Sequence, residues 1–154
     1  MKILIADDES RKIENISELV AENFSKALIQ TSRSVRSTIS SIIEGHFDLI
    51  ILDMSLPTFD IAPGEPGGRA QGSGGIEVLR NMDFYEIATP VIVVTQYETV
   101  PERGTLVPLA AIEARLIEEH PHTFKGCVFF GALNDTWRPV LLEKMASILA
   151  GEGR

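Results

Sequence analysis

Residues 1–10 read MKILIADDES. A short apolar run, Ile3 to Ala6, ends in two neighbouring carboxylates, Asp7 and Asp8, with Glu9 behind them. The run is too short for a buried helix and rich in branched residues, so Lys2–Ala6 reads as a strand covered on both faces. Adjacent carboxylates at the end of such a strand repel each other and lose hydration. Something nearby must offset that charge.

The same sentence repeats along the chain. Ile13, Ile16, Leu19 and Val20 recur at helical spacing from about Ser10 to Asn23. ALIQT (27–31) reads as a strand, and a helix through Val35, Ile39, Ile42 and Ile43 stops at Gly45. FDLIILD (47–53) is a third buried strand, again closed by a carboxylate. After an irregular Gly- and Pro-rich stretch (55–75), a helix resumes at Ile76–Met82 and PVIVVT (90–95) is a fourth strand. A second irregular region (96–108) precedes a helix with Leu109, Ile112 and Leu116 aligned. GCVFF (126–130) is the fifth strand, and a last helix runs from about Pro139 to Ala150 with Leu141, Leu142, Met145 and Ile148 inward.

Five alternations of strand and helix imply parallel strands, right-handed crossovers and helices on both faces. The expected fold is a three-layer, doubly wound, flavodoxin-like five-stranded parallel sheet of order 2-1-3-4-5. Its 154 residues suit one domain, 1–154, with extended loops at about 58–75 and 96–108. The net charge of −8 argues against a nucleic-acid surface, and no apolar run is long enough to span a membrane. The chain opens on a strand rather than a signal peptide, and its one cysteine, Cys127, reads as a buried thiol; both point to the cytoplasm.

Ligands of such a sheet bind at the carboxyl ends of the strands, where strand order reverses. Here that is between the first and third strands. Asp7 and Asp8 end one and Asp53 ends the other, so the fold converges three carboxylates that are distant in sequence. Mg²⁺ suits them: a hard cation held by one or two carboxylates plus a phosphate. Thr95, ending the fourth strand, adds a hydroxyl donor beside the ion. This is the minimum for phosphoryl transfer to a side chain, with Asp53 as nucleophile and an acyl phosphate as product.

ILIADDES, LIILDMSLP and VIVVT, in this order and spacing, resemble the receiver domain of two-component response regulators over residues 2–150. The resemblance implies that Asp53 is the phospho-acceptor and that Asp7 and Asp8 bind Mg²⁺ with the backbone carbonyl of Ser55. It implies that Thr95 is the switch hydroxyl, and that a sensor histidine kinase or phosphotransfer protein is the donor. The expected role is a receiver without an output domain, acting by protein–protein contact or as a phosphate shuttle or sink. Nucleic acid and membrane are not expected partners, and a homodimer is left open.

The chain departs from the family where the fifth strand ends. A Lys followed by Pro is usual there; this chain has Phe130 and Gly131. Lys125 lies roughly 16 Å away at ~3.3 Å per residue. Arg138 is selected by no spacing argument, and Arg69 in the Gly-rich stretch is a candidate for the missing cation. The alternative is therefore a pseudo-receiver: an interaction module that is not phosphorylated. An independent enzyme is disfavoured, because ADDESR lacks both a flavodoxin phosphate loop and the D-x-D of haloacid-dehalogenase phosphatases. His46, His120 and His122 read as lone surface histidines, and Phe130 and Trp137 as packing residues.

Overall fold

The computed structural model describes residues 1–60, 72–131 and 133–152. In chain order these form β1 (Lys2–Ala6), α1 (Ser10–Asn23), β2 (Leu28–Ser32), α2 (Val35–Glu44), β3 (Leu49–Leu52), α3 (Gly74–Phe84), β4 (Val91–Thr95), β5 (Thr99–Glu102), β6 (Thr105–Pro108), α4 (Leu109–Glu119), β7 (Phe124–Phe129) and α5 (Trp137–Glu152). The main sheet has order β2-β1-β3-β4-β7 and every pair in it is parallel. That is the expected order, counting main-sheet strands.

Alternation along the strands divides the core. Leu4, Ala6, Ile50, Leu52, Val91 and Val93 face α2, α3 and α4. Ile3, Ile5, Leu49, Ile51, Ile92 and Val94 face α1 and α5. Strands buried on both faces need near-continuous apolar sequence, which is what made them readable. Ser34 caps α2, exchanging hydrogen bonds with Ser37, and Gly45 ends that helix.

Two expectations need correction. The region expected as an extended loop at 96–108 is largely an antiparallel hairpin, with β5 and β6 paired from Thr99↔Pro108 to Glu102↔Thr105. Its turn residues Arg103 and Gly104 both have positive φ, 48° and 78°, as a tight two-residue hairpin requires. Pro101 and Pro108 argue against strands, but this ribbon has two edges and tolerates them. In α5, which starts at Trp137 rather than Pro139, Leu149 is buried, while Leu142 and Ile148 are only half-buried.

The other expected loop, 58–75, lies partly outside the described residues, and Arg69 lies wholly outside them. Its end is not loop at all. Gly74 and Gly75 begin α3 against the chain that leaves β3. A Cβ on Gly74 would stand 1.9 Å from the Leu56 carbonyl oxygen, and one on Gly75 would stand 2.8 Å from that of Asp53. Only glycine lets the helix start this close beneath the β3 terminus.

Candidate functional site

Three strands deliver the site. The Asp7 N–H bonds the Ser32 carbonyl and the Asp53 N–H bonds the Ala6 carbonyl, so the sheet ladder continues into both acidic residues and fixes them side by side. One carboxylate oxygen each from Asp7, Asp8 and Asp53 lies within 4.8 Å of the others. Asp7 and Asp53 are buried, and Asp8 is exposed at the rim. The convergence expected from topology is therefore present.

The offsetting cation is a residue the sequence reading passed over. Lys12, in the first turn of α1, is fully buried and reaches across the sheet to this point. Its ammonium stands 2.7 Å from Asp7 Oδ2 and 3.1 Å from Asp53 Oδ1. It donates a third bond to the Val94 carbonyl at 2.7 Å. An ammonium has three protons, and each has a partner. The remaining oxygens are also held: Asp7 Oδ1 accepts from the Glu9 N–H, and Asp53 Oδ2 accepts from the Ser55 hydroxyl at 3.1 Å. The signal was legible in principle. Lys12 lies one turn before Ile16 and two before Leu19 and Val20, on the helix stripe that is buried.

The electrostatics follow from burial. Desolvation raises the Asp7 carboxyl to about 7; Lys12 opposes this and the Asp53 charge reinforces it. Asp8 is raised for the same reasons, burial first and Asp53 second. Burial works against the charge of Lys12 too, but Asp53 and Asp7 outweigh it, and its pKa lies above the ordinary lysine value. One ammonium among three carboxylates leaves a formal charge of −2. The cluster is under-neutralised by an amount that a divalent cation would correct, and its oxygens are the hard donors Mg²⁺ takes.

Thr95 is fully buried at the end of β4, where its hydroxyl accepts from the Tyr97 N–H at 3.2 Å. Phe130 follows β7, its N–H bonded to the Thr95 carbonyl. Its ring packs 4.8 Å from that of Trp137 and lies 5.9 Å from the Lys12 ammonium. An aromatic ring thus fills the position where a strand-borne cation was expected, and it covers the ammonium that α1 supplies instead. Arg138 is turned elsewhere, stacked on Trp137 and facing Asp135.

His120 corrects the reading of three surface histidines. It is buried, with Nδ1 2.7 Å from Asp83 Oδ2. His46 and His122 are exposed. Burial and the Glu113 carboxylate push the Cys127 thiol up to about 12, against a smaller opposing effect of Lys144, so it is a packing residue rather than a nucleophile. Among the described residues no helix is long and apolar enough to cross a membrane.

No family model matches the chain. It is 33% identical over 150 residues to the Detocs response regulatory protein DtcB of Enterobacter cloacae strain JD6301, covering 96% of this chain and all of the relative. It is 29% identical over 148 residues to the protein of the same name from Vibrio alginolyticus, covering 94% and 99%. Among solved structures, the response regulator protein TrrA from Thermotoga maritima in complex with Mg(2+)-BeF superposes with a TM-score of 0.63 at 20% identity, over 96% of this chain and 97% of that one. A signal receiver domain of an HD domain-containing protein from Pseudomonas fluorescens Pf-5 gives 0.66 at 16% identity, over 99% and 96%.

Proposed function

The chain belongs to the response regulator receiver family, and on that premise we propose that it carries a phosphorelay signal by accepting a phosphoryl group on Asp53. The observation that carries the proposal is the convergence of Asp7, Asp8 and Asp53 at the carboxyl ends of β1 and β3, with Asp53 only 2% exposed. The Asp53 carboxylate attacks phosphorus; an O–P bond forms and the donor's bond to phosphorus breaks. Asp7 and Asp8, with the Ser55 backbone carbonyl, would hold Mg²⁺. When bound, Mg²⁺ supplies the positive charge that neutralises the phosphoryl oxygens. The Thr95 hydroxyl, which accepts from the Tyr97 N–H, keeps its own proton to donate to a phosphoryl oxygen.

The donor is a sensor histidine kinase or a phosphotransfer protein, and the signal leaves by protein–protein contact from a single receiver domain spanning 1–154. A receiver is a substrate of its kinase rather than an independent enzyme. A reducing compartment, the cytoplasm, suits the lone Cys127 thiol. One observation favours a second reading, an interaction module that is never phosphorylated: the position after β7 where the family carries its cation holds Phe130, packed on Trp137.

Intact-protein mass spectrometry after incubation with acetyl phosphate and Mg²⁺ separates the two. A gain of about 80 Da in the wild type and none in Asp53→Asn supports the acceptor reading. No gain in either, with Mg²⁺ bound, supports the interaction module.

A further inference from the structure

We propose that Lys12 is the phosphoryl-binding cation of this site, delivered from α1 in place of a strand-borne lysine; the assignment rests on the acceptor reading of Asp53.

The geometry leads there in three steps. The ammonium touches the reacting group itself, 3.1 Å from Asp53 Oδ1. It stands between the two sides of the pocket, paired with Asp7 Oδ2 just past β1 and bonded to the Val94 carbonyl next to Thr95 on β4. A phosphoryl group on Asp53 would therefore grow out beside it. Finally, it is water-excluded, with zero exposure and the Phe130 ring alongside. In such a site a charge-assisted contact is stronger than in water.

Loading the site redistributes its three protons. With Asp7 and Asp8 engaged by a divalent cation, the ammonium would hold Asp7 less firmly. The N–H released from Asp7 turns to a phosphoryl oxygen, while the bond to Val94 holds the side chain in place. In the transfer from acetyl phosphate, one Asp53 oxygen bonds phosphorus, the phosphorus–acetate oxygen bond breaks, and acetate leaves with the electron pair. The ammonium keeps all three protons throughout and balances the charge on the transferred group. Phe130 fits this scheme: a second cation at that position would face the first one across the pocket.

The test compares wild type with Lys12→Met, Lys12→Gln and Lys12→Arg. Adduct formation from acetyl phosphate is followed by intact mass. Mg²⁺ affinity is read separately, without donor, from the fluorescence of Trp137, the chain's single tryptophan, which packs on Phe130. The expected result is two-sided. At a pH where Asp7 is ionised in each protein, Met and Gln variants bind Mg²⁺ several-fold more tightly, because Asp7 is released, yet form adduct about 10- to 100-fold more slowly. Arg retains more of the rate than either. A purely structural lysine would not separate binding from rate in this way.

Variants that bind Mg²⁺ and label at the wild-type rate would overturn the assignment and leave the acceptor reading intact. A wild type that never labels would remove both. Should the variants not fold, wild-type protein with ¹⁵N-labelled lysine decides. The buried Lys12 Nζ resonance should move when beryllofluoride joins Mg²⁺, and an unmoved resonance counts against the proposal.

Discussion

Two clusters in this molecule each set one cation between two carboxylates. At the carboxyl end of the sheet, Lys12 lies between Asp7 and Asp53, with side-chain exposures of 0–3%. On the outer face of α4, Arg115 lies between Glu102 of the hairpin and Glu119 one turn along, with exposures of 23–46%. Each cation bridges two acids, and the consequences are opposite. Hydrogen bonding from Arg115 holds Glu102 below the usual carboxylate range. Asp7, just as close to its cation, is raised to about 7, because burial removes the water that would stabilise its charge. At the surface one cation satisfies two acids. In the interior it leaves them under-neutralised.

The sharpest way to break this comparison is to remove the buried cation. Lys12→Met leaves two desolvated carboxylates facing each other without a counter-charge. Losing one partner of a buried ion pair costs about 3–5 kcal/mol. Urea denaturation at pH 8, without divalent ions, should show a loss of that size, and added Mg²⁺ should restore part of it. A loss below ~1 kcal/mol would put the buried cluster in the same class as a surface pair and end the contrast.

Protons give the next largest effect, and their sign follows from Asp7. Its carboxyl rises from 3.8 to about 7 on folding. Between those values the folded protein holds a proton that the unfolded chain has released. The contribution of this group to stability is therefore greatest in acid, declines as pH rises toward 7, and is level above it. The same proton competes with Mg²⁺ for Asp7. Affinity should fall as pH drops below 7, approaching tenfold, or ~1.4 kcal/mol, per pH unit. Because Lys12 lowers the Asp7 pKa, Lys12→Met should shift this transition to higher pH. Isothermal titration across pH 5.5–8.5 reads both changes, and an affinity flat across that range would contradict the raised pKa.

Moving the cation sharpens the comparison further. Phe130→Lys alone puts a second ammonium against the first and strips the ring from Trp137. Combined with Lys12→Met, it returns the pocket to one cation. The double-mutant cycle should show favourable coupling of about 1 kcal/mol, with adduct formation faster in the double variant than in Lys12→Met alone. Strict additivity would mean that the two positions do not share a pocket.

What could be read from the sequence divides along the same physical line. β1, β3 and β4 announce themselves because strands covered on both faces must be apolar throughout. Their topology then brings Asp7, Asp8 and Asp53 together without further information. Phe130 was legible as a departure because GCVFF reads as the fifth strand and sets this residue where the family carries its cation. Lys12 was not read, although it shares the buried stripe with Ile16, because a lysine on an amphipathic helix is ordinarily solvated. Its partner Asp53 is 41 positions away. His120 escaped likewise, since its partner Asp83 is 37 positions distant. The hairpin was hidden by its prolines, whose cost disappears in a two-edged ribbon. Local periodicity carries the scaffold, whereas buried polar pairing is a product of the folded state.

The smallest effect belongs to the surface cluster, and it is the control the comparison needs. Arg115→Ala removes a cation that grips Glu102 with two guanidinium nitrogens and also meets Glu119. It makes three contacts to carboxylate oxygens against two for Lys12, so a count of ion-pair contacts would rank it first. Solvent reverses that ranking: all three partners keep water, and the expected cost is within about 1 kcal/mol. Unlike the buried pair, this one should also weaken with salt, since exposed charges are screened at ordinary ionic strength. Chemical denaturation in low and high NaCl tests both statements. A salt-independent loss of several kcal/mol would mean that Arg115 anchors the hairpin as part of the core, with buried Val100 beneath it. The hairpin would then be integral to the fold rather than a ribbon laid over it.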